Sequence, residues 1–162
     1  MGFNHFDGEG RAHMVDVGAK EVSDRRARAV AVVNLGPSLL AAVLDRSVAK
    51  GDVLGVARLA GIAAVKKTSD LIPLAHPLAI HHAAVDFATD PDGGTVTVTC
   101  TAGARERTGV EMEAMTGAMV AALTIYDMCK GRDRSISIGG VKLVYKSGGR
   151  SGTYRSEEGD PS

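Results

Sequence analysis

The sequence predicts an α+β fold, and three features of its pattern lead to that prediction. In some short segments apolar residues alternate with polar ones, as in strands, and in others they recur every three or four positions, as in helices. The order of these segments is strand, helices, two strands, helix, strand. This is the order of the split βαβ, or ferredoxin-like, sandwich. An additional N-terminal strand is predicted before it.

The first half of the chain supplies two strands and two helices. Residues 11–17 are predicted as the additional strand, and residues 26–33, rich in small β-compatible side chains, as the first strand of the sandwich. Ser38 is expected to cap a helix that runs to about Asp45. A second helix begins at Gly51-Asp52. Because this helix is apolar nearly all round, we expect it to lie between the sheet and a neighbouring subunit.

The second half supplies a hairpin, a long helix and a last strand. Residues 80–89 and 95–101 are the arms of the hairpin, and the Pro-Asp-Gly-Gly turn between them permits a positive φ. The helix covers residues 109–130 and places an apolar stripe on one face. Residues 135–145 form the last strand.

Length and composition restrict the number of domains and the partners. With 162 residues, of which 44% are hydrophobic, the chain can build one sizeable core but not two. We expect a flexible N-terminus at residues 1–10, one ferredoxin-like domain at 11–154 and a disordered tail at 155–162. The formal net charge of zero and the lack of Trp argue against nucleic acid as a partner.

Membrane, disulfide and metal sites are not expected from the pattern. No apolar stretch has the length of a membrane span, and no signal peptide pattern begins the chain, so a cytoplasmic location is expected. Cys100 and Cys129 have no partner at metal-ligand or redox spacing and are expected to be packing residues. His81 and His82 are adjacent on a strand and point to opposite faces, so they do not form a three-histidine site with His76.

The long helix carries charge only at its two ends. Glu111 and Glu113 stand at its start, and Asp127 and Lys130 at its end. This arrangement indicates a functional role. The alternative is that Glu111 and Glu113 favour the N-terminal end of the helix dipole, and Lys130, with Arg132 just beyond, its C-terminal end. Glu113 and Asp127 lie on nearly the same face but about 21 Å apart along the axis. Either the ligand is long, or two such helices pair antiparallel and complete a site from two chains.

Three connections hold further candidate residues. Lys50 is predicted at the junction of two helices, where its ammonium either reaches a pocket or caps a helix end. His76 lies between Pro73 and Pro77, and this rigidity slightly favours a ligand or proton-transfer role over a structural one. Residues 146–152 are basic and rich in glycine, which suits either a phosphate cradle or a disordered tail. Basic groups around an acid-bearing helix suggest a polyphosphate substrate; besides this loop they are Lys50, Lys66, Lys67 and Lys130.

Six segments of the chain together form a specific pattern. They are residues 13–17, 50–53, 68–77, 108–114, 121–130 and 146–149. In this order they resemble the cyclic pyranopterin monophosphate synthase family, the molybdenum cofactor biosynthesis protein C family, and the resemblance covers residues 5–154. It implies a ferredoxin-like subunit in a hexamer built as a trimer of dimers. The implied reaction converts (8S)-3′,8-cyclo-7,8-dihydroguanosine 5′-triphosphate to cyclic pyranopterin monophosphate and pyrophosphate.

The resemblance also implies roles for particular residues. Asp127 is the implied catalytic acid/base, with Lys50 and Lys130 as catalytic lysines. The implied substrate-binding positions are Leu74, Ala75, His76, Met112 and Glu113, with Arg25, Glu111 and Lys146 as further positions. No cofactor and no metal ligand are implied, and whether a Mg²⁺ ion accompanies the substrate triphosphate is left open.

Some positions depart from the family pattern, and other functions stay open. Ala75 stands where Cys is common, which suggests that the reaction needs no thiol there. Glu106 and Arg107 replace a small residue and a Lys, so the phosphate contacts of that loop are open. A non-catalytic ferredoxin-like nucleotide- or phosphate-binding module does not explain charge held only at helix ends. A phosphate-binding scaffold does not explain Asp127, and pyrophosphate release on turnover discriminates between these classes.

Overall fold

One antiparallel sheet and four helices make up the part of the chain that the computed structural model describes, residues 5–156. The strands are β1 (Ser23–Asn34), β2 (Ile80–Asp90), β3 (Thr95–Glu106), β4 (Ser137–Ser147) and β5 (Tyr154–Arg155). The helices are α1 (Pro37–Leu44), α2 (Val53–Val65), α3 (Thr68–Leu71) and α4 (Glu111–Cys129). The strand order is β2-β3-β1-β4-β5, which confirms the predicted α+β, ferredoxin-like fold class. Within residues 5–156, no helix is both long and apolar enough to cross a membrane.

Strand β1 is the centre of the sheet. It pairs antiparallel with β3 from Ser23 to Asn34, and with β4 on its other side. Ala27, Ala29 and Ala31 alternate along one face of β1 and are fully buried. Helix α4 packs on β1, and the small side chains allow it to approach the sheet closely.

Helices α2 and α4 touch at two glycines. A Cβ atom at Gly61 would lie 2.9 Å from the carbonyl oxygen of Gly117, and one at Gly117 would lie 2.5 Å from the Cys100 Sγ atom. Both distances are shorter than a van der Waals contact, so only glycine fits this crossing. Cys100 and Cys129 are buried and unpaired, as expected for packing residues.

The prediction of an additional strand at residues 11–17 is wrong. The segment makes only an isolated bridge between Phe6 and Ala12, and the strand added to the core is instead the C-terminal β5. Turns interrupt the extended backbone on both sides of this segment. Asp7 accepts a hydrogen bond from the Arg11 amide, and Asp16 accepts one from the Gly18 amide. Such side-chain bonds compete with strand pairing.

Two details of the helices also differ from the prediction. Ser38 does not cap α1; Gly36, at φ 74°, precedes the helix and Pro37 occupies its first turn, where the missing N–H costs nothing. Asp52 does cap α2, since its side chain accepts a hydrogen bond from the Gly55 amide. Residues 68–71, expected to be part of a loop, form the short helix α3.

The predicted ends of the domain fall partly beyond the described residues. Of the flexible N-terminus at 1–10 and the tail at 155–162, residues 1–4 and 157–162 lie outside the described part of the chain. Residues 5–10 include a turn in which the Gly10 amide donates to the Asp7 carbonyl. The division into two flexible ends and one domain stays a prediction.

The glycine crossing gives a test of the packing. We expect Gly117→Ala to lower the free energy of unfolding by about 1–2 kcal/mol, because overpacking costs more than the gain in helix propensity of about 1 kcal/mol. The measurement is urea unfolding followed by circular dichroism. Gly131→Ala is the control, since no atom lies within 4 Å of its added Cβ, and it should change stability by less than about 0.5 kcal/mol. A Gly117→Ala variant as stable as the wild type would contradict the close crossing.

Candidate active site

The C-terminal end of α4 brings three of the predicted residues into contact. The Asp127 Oδ1 atom lies 2.6 Å from the Lys130 Nζ atom, and its Oδ2 atom lies 3.3 Å from the Lys50 Nζ atom. The Asp127–Lys130 contact follows from helical spacing, since residues three apart share a face. Lys50 reaches the same carboxylate from a distant part of the sequence. The result is one carboxylate between two ammonium groups.

The sequence suggested that Lys50 lies at a helix end, but in the structure it does not. Helix α1 ends at Leu44, so Lys50 belongs to the connection before α2. Its ammonium donates a 2.8 Å hydrogen bond to the main-chain carbonyl of Asp127, one of the carbonyls in the last turn of α4 that lack a partner within the helix. Lys50 therefore caps the C-terminal end of α4 from outside that helix, and this bond fixes its ammonium beside Asp127.

The charges of this group support one another. Hydrogen bonds from Lys130 and then from Lys50 hold the pKa of Asp127 below its ordinary value, and the Asp127 carboxylate in turn raises the pKa of Lys130. The side chain of Asp127 is 54% exposed, so water screens these ion pairs and they contribute little to stability. Asp127 and Lys130 are therefore ionised at neutral pH, and the group is open to a ligand.

Two adjoining cavities lie at the other end of α4. The first, about 660 Å³, is called the basic cavity; it is lined by Lys20, Arg25, Arg107, Lys146 and Arg150, by Glu21 and Glu111, and by the glycines of the 147–151 loop. The second, about 390 Å³, is called the His76 cavity; its lining includes Leu74, Ala75, His76, Met112 and Glu113. Lys20, Thr108, Gly109 and Glu111 line both cavities, which therefore meet.

The basic cavity is built around Arg25 on β1. Its guanidinium donates hydrogen bonds of 3.1 Å to the carbonyls of Glu106 and Arg107. Gly148 and Gly149, at φ 94° and 73°, wrap over Arg25, and a side chain at Gly149 would overlap the guanidinium. The loop joins β4 to β5 and is not a plain tail. Lys146 donates a hydrogen bond to the Ser151 hydroxyl within it.

His76 is held by the N-terminal segment. Its Nε2 atom lies 2.8 Å from the carbonyl oxygen of Val15. A carbonyl oxygen only accepts hydrogen bonds, so Nε2 carries the hydrogen and, in the neutral ring, Nδ1 is an acceptor. The prediction of a positioned histidine agrees with this contact.

Glu113 is the most unusual carboxylate of the site. It is only 3% exposed, and within the described residues its Oε2 atom has no hydrogen-bond partner. Burial raises the pKa of Glu113 to about 7, and the nearby Glu111 carboxylate adds to the rise. Both protonation states are therefore accessible near neutral pH, as a proton-transfer group requires.

Within one chain, the predicted site residues form two separate clusters. Leu74, Ala75, His76, Met112, Glu113, Arg25, Glu111 and Lys146 lie around the two cavities, whereas Lys50, Asp127 and Lys130 lie at the far end of α4. Glu113 and Asp127 are fourteen residues apart in a continuous helix. That spacing is about 21 Å at about 1.5 Å per residue.

Sequence reasoning missed Lys20 and misplaced two other cations. Lys20 lines both cavities, but the strand predicted just before it hid its position in a turn. Lys66 and Lys67, grouped with the basic loops from the sequence, are exposed and line neither cavity. Within residues 5–156, no group of three or more His, Cys, Asp or Glu residues is arranged to hold a metal ion.

Comparison with known proteins adds independent findings. Residues 14–149 match the model of the MoaC family, and this range contains both clusters. The chain is 68% identical over 158 residues to the cyclic pyranopterin monophosphate synthase of Geotalea uraniireducens, covering 98% of this chain and 99% of the relative. The enzyme of the same name from Geobacter sulfurreducens is 64% identical over 159 residues, with the same coverage. That from Rhodospirillum rubrum is 50% identical over 153 residues, covering 94% and 92%.

The raised pKa of Glu113 predicts a pH dependence of stability. The pKa rises from the ordinary 4.5 to about 7 on folding, so the folded state binds more protons between these values and stability falls as pH rises through them. The side chain of Glu113→Gln does not ionise, so this variant does not lose stability in that way as pH rises. We expect the unfolding free energy of the variant relative to wild type to increase by about 2 kcal/mol between about pH 5 and 8.

The measurement is urea unfolding at several pH values. The change of this stability difference with pH is diagnostic, because the cost of burying the side-chain amide of the variant does not depend on pH. Glu21→Gln, at an exposed position, is the matched control and should show a flat difference. A flat difference for Glu113→Gln as well would show that Glu113 titrates normally.

Proposed function

The chain belongs to the MoaC family, and from that membership we propose that it is a cyclic pyranopterin monophosphate synthase of molybdenum cofactor biosynthesis. It converts (8S)-3′,8-cyclo-7,8-dihydroguanosine 5′-triphosphate to cyclic pyranopterin monophosphate and pyrophosphate. The structural observation that carries the proposal is the Asp127 carboxylate between the Lys50 and Lys130 ammonium groups. A reaction that rearranges a purine needs such positioned proton donors and acceptors.

The basic cavity suits the triphosphate. Formation of a cyclic phosphate joins a substrate hydroxyl oxygen to the first phosphorus and breaks its bond to the leaving pyrophosphate. Negative charge then increases on the pyrophosphate, and cations placed before the reaction stabilise it. Arg25 and Lys146 are fixed by their hydrogen bonds at the wall of this cavity and serve that role. Glu111, on the boundary with the His76 cavity, orients the substrate between the two.

The His76 cavity suits the base of the substrate. Leu74, Ala75 and Met112 supply an apolar wall, and His76 and Glu113 are among its polar groups, a combination common in small-molecule sites. The Glu113 carboxyl, near its pKa at neutral pH, exchanges a hydrogen bond or a proton with a ring nitrogen. The Nδ1 atom of His76, an acceptor in the neutral ring, accepts a hydrogen bond from the substrate.

Asp127 and its lysines perform the proton transfers. Asp127 is ionised and accepts a proton from the substrate, while the Lys130 ammonium, one turn away, returns one. Lys50 keeps Asp127 ionised and placed through its two contacts with that residue.

The distance between the clusters leads us to propose a site shared by two chains. The midpoint between Glu113 and Asp127 on α4 is residue 120, and next to it Met119 is 50% exposed and Leu123 58% exposed. A two-fold axis at this apolar stripe would place Asp127 of one chain beside Glu113 of the other. On α2, which packs against α4, Leu59 is a further exposed apolar side chain, at 70%. This is the dimer contact, and three such dimers form the proposed hexamer.

Other finer features of the proposal concern cofactors and location. The enzyme works without a resident cofactor, and a Mg²⁺ ion enters, where it is used, with the substrate triphosphate. A cytoplasmic location is supported by the two buried free thiols, Cys100 and Cys129.

Removal of the charged group at the end of α4 tests the function. We expect Asp127→Asn, Lys50→Ala and Lys130→Ala each to lower turnover by at least about 100-fold, because proton transfer contributes about 10²–10⁴ to such reactions. Pyrophosphate release from the cyclic dihydroguanosine triphosphate is the measurement. Lys66→Ala, an exposed cation outside both cavities, is the control and should keep wild-type turnover. Wild-type protein that binds the substrate without releasing pyrophosphate would be the non-catalytic binding module instead.

Subunit mixing tests the shared site. Glu113→Ala and Asp127→Asn, each inactive alone, are mixed under conditions that allow subunit exchange. Each hybrid dimer then has one doubly damaged site and one intact site, so random mixing should restore about a quarter of wild-type turnover.

The structure also supplies a matched control for the mixing experiment. Asp127 and Lys130 touch within one chain, so hybrids of Asp127→Asn with Lys130→Ala hold no intact site and should stay inactive. If the Glu113–Asp127 pair also stays inactive despite proven exchange, the two residues do not serve one site from different chains.

A further inference from the structure

The segment of residues 13–21 lines both cavities without belonging to the sheet or to a helix. Within it, the Gly18 amide donates to the Asp16 carboxylate, and the Lys20 amide donates to the Val17 carbonyl. These bonds shape the turns but do not attach them to the rest of the molecule. The segment therefore depends on side chains from other elements for its position.

Arg107 supplies the main attachment. One of its terminal nitrogens, Nη1, donates hydrogen bonds of 2.6 Å to the Gly18 carbonyl and 2.7 Å to the Lys20 carbonyl. This nitrogen carries two hydrogens, one for each carbonyl, so both are used. Charge-assisted bonds of this kind are stronger than those between neutral groups. Arg107 directs this nitrogen at the backbone around Lys20.

The position of Arg107 is itself fixed. It follows Glu106, the last residue of β3, and the main-chain carbonyls of both residues accept hydrogen bonds from the Arg25 guanidinium. The Glu106 carboxylate also accepts a 3.2 Å hydrogen bond from the Ala79 amide, next to the loop that carries His76. Glu106 and Arg107 thus tie two separate loops to the end of β3, where the two cavities meet.

We propose that Arg107 is a positioning residue for triphosphate binding, which it supports by holding the backbone of Gly18 and Lys20 so that Lys20 stays where the two cavities meet. The inference rests on the proposed function, because it takes the basic cavity as the triphosphate site. We place its effect at Lys20, because the two carbonyls use both hydrogens of the Arg107 Nη1 atom and Lys20 lines both cavities. Because Arg107 is exposed, its loss should leave the core intact.

The side chain at position 107 determines whether the two carbonyls keep their hydrogen bonds. Lysine also presents several hydrogens on one nitrogen and can serve both carbonyls, so Arg107→Lys should keep most of the effect. Alanine serves neither carbonyl and releases the segment. Rescue by lysine is therefore expected of the carbonyl attachment, and coupling to Lys20 separates this role from a direct contact of the Arg107 charge with phosphate.

The test is a double-mutant cycle between Arg107 and Lys20. The probe is inorganic triphosphate, whose dissociation constant is measured by isothermal titration calorimetry, so that the result does not depend on turnover. We expect Arg107→Ala and Lys20→Ala each to weaken binding by about tenfold, and the double variant to be no weaker than either alone, since coupled residues are not additive. Arg107→Lys should bind within about threefold of wild type.

Controls separate positioning from loss of charge and from loss of the fold. Arg105→Ala removes an exposed arginine two positions earlier on β3, outside both cavities, and should leave binding unchanged. The thermal midpoint of each variant checks folding, and Arg107→Met, which has no hydrogen-bond donor, replaces Arg107→Ala in the cycle should the alanine variant fail to fold.

Three results would overturn the proposal: additive effects of the two substitutions, unchanged binding in Arg107→Ala, or an equal loss in Arg105→Ala. Failure of the proposed function has a different appearance. In that case the wild type binds triphosphate, and the cycle keeps its outcome, but no pyrophosphate is released from the nucleotide substrate.

Discussion

The close contact of α4 with β1 and α2 is the constraint on which the rest of the structure depends. Alanines on β1 and glycines at the α2–α4 crossing remove the side chains that would hold these elements apart. The helix is therefore fixed over its whole length, and both of its ends have defined positions relative to the sheet. Its N-terminal end meets the end of β3 and the loop after β4, and its C-terminal end meets the connection that carries Lys50. Neither cluster needs a mobile element to form.

This arrangement gives two carboxylates on one helix opposite properties. Glu113 is only 3% exposed, so burial raises its pKa to about 7, whereas Asp127 is exposed beside two ammonium groups that lower its pKa. Environments that push two acids apart in pKa are a common way to assign one the role of proton donor and the other that of base. Here the difference follows from the surroundings of each side chain: Glu113 is 3% exposed, whereas the Asp127 side chain is 54% exposed beside Lys50 and Lys130.

Much of the fold could be predicted from the sequence because its signals are local. The alternation in β2 and β3 and the spacing in α4 placed these elements within a few residues, apart from the end of β3, which continues through small residues to Glu106. The additional N-terminal strand failed because the hydrogen bonds of Asp7 and Asp16 made turns where strand propensity had predicted extension. In the site, the Asp127–Lys130 contact is a matter of helical spacing, but Lys50 lies 77 residues from Asp127, and nothing local reveals that contact. The burial of Glu113 was equally invisible, since it depends on which elements cover the helix start.

The distribution of charge explains how a chain with no net charge can hold a polyphosphate. The formal net charge is zero, yet five Lys and Arg residues and only two Glu residues line the basic cavity. Interactions between exposed charges are screened beyond about 8 Å at physiological ionic strength, so a ligand in the cavity responds to this local excess and not to the sum over the chain. Several of these cations are also fixed by hydrogen bonds: Arg25 donates to two carbonyls, Lys146 donates to Ser151, and the main-chain carbonyl of Lys20 accepts from Arg107. Cations held in this way lose little freedom when an anion binds, and preorganisation of this kind gives affinity that net charge does not predict.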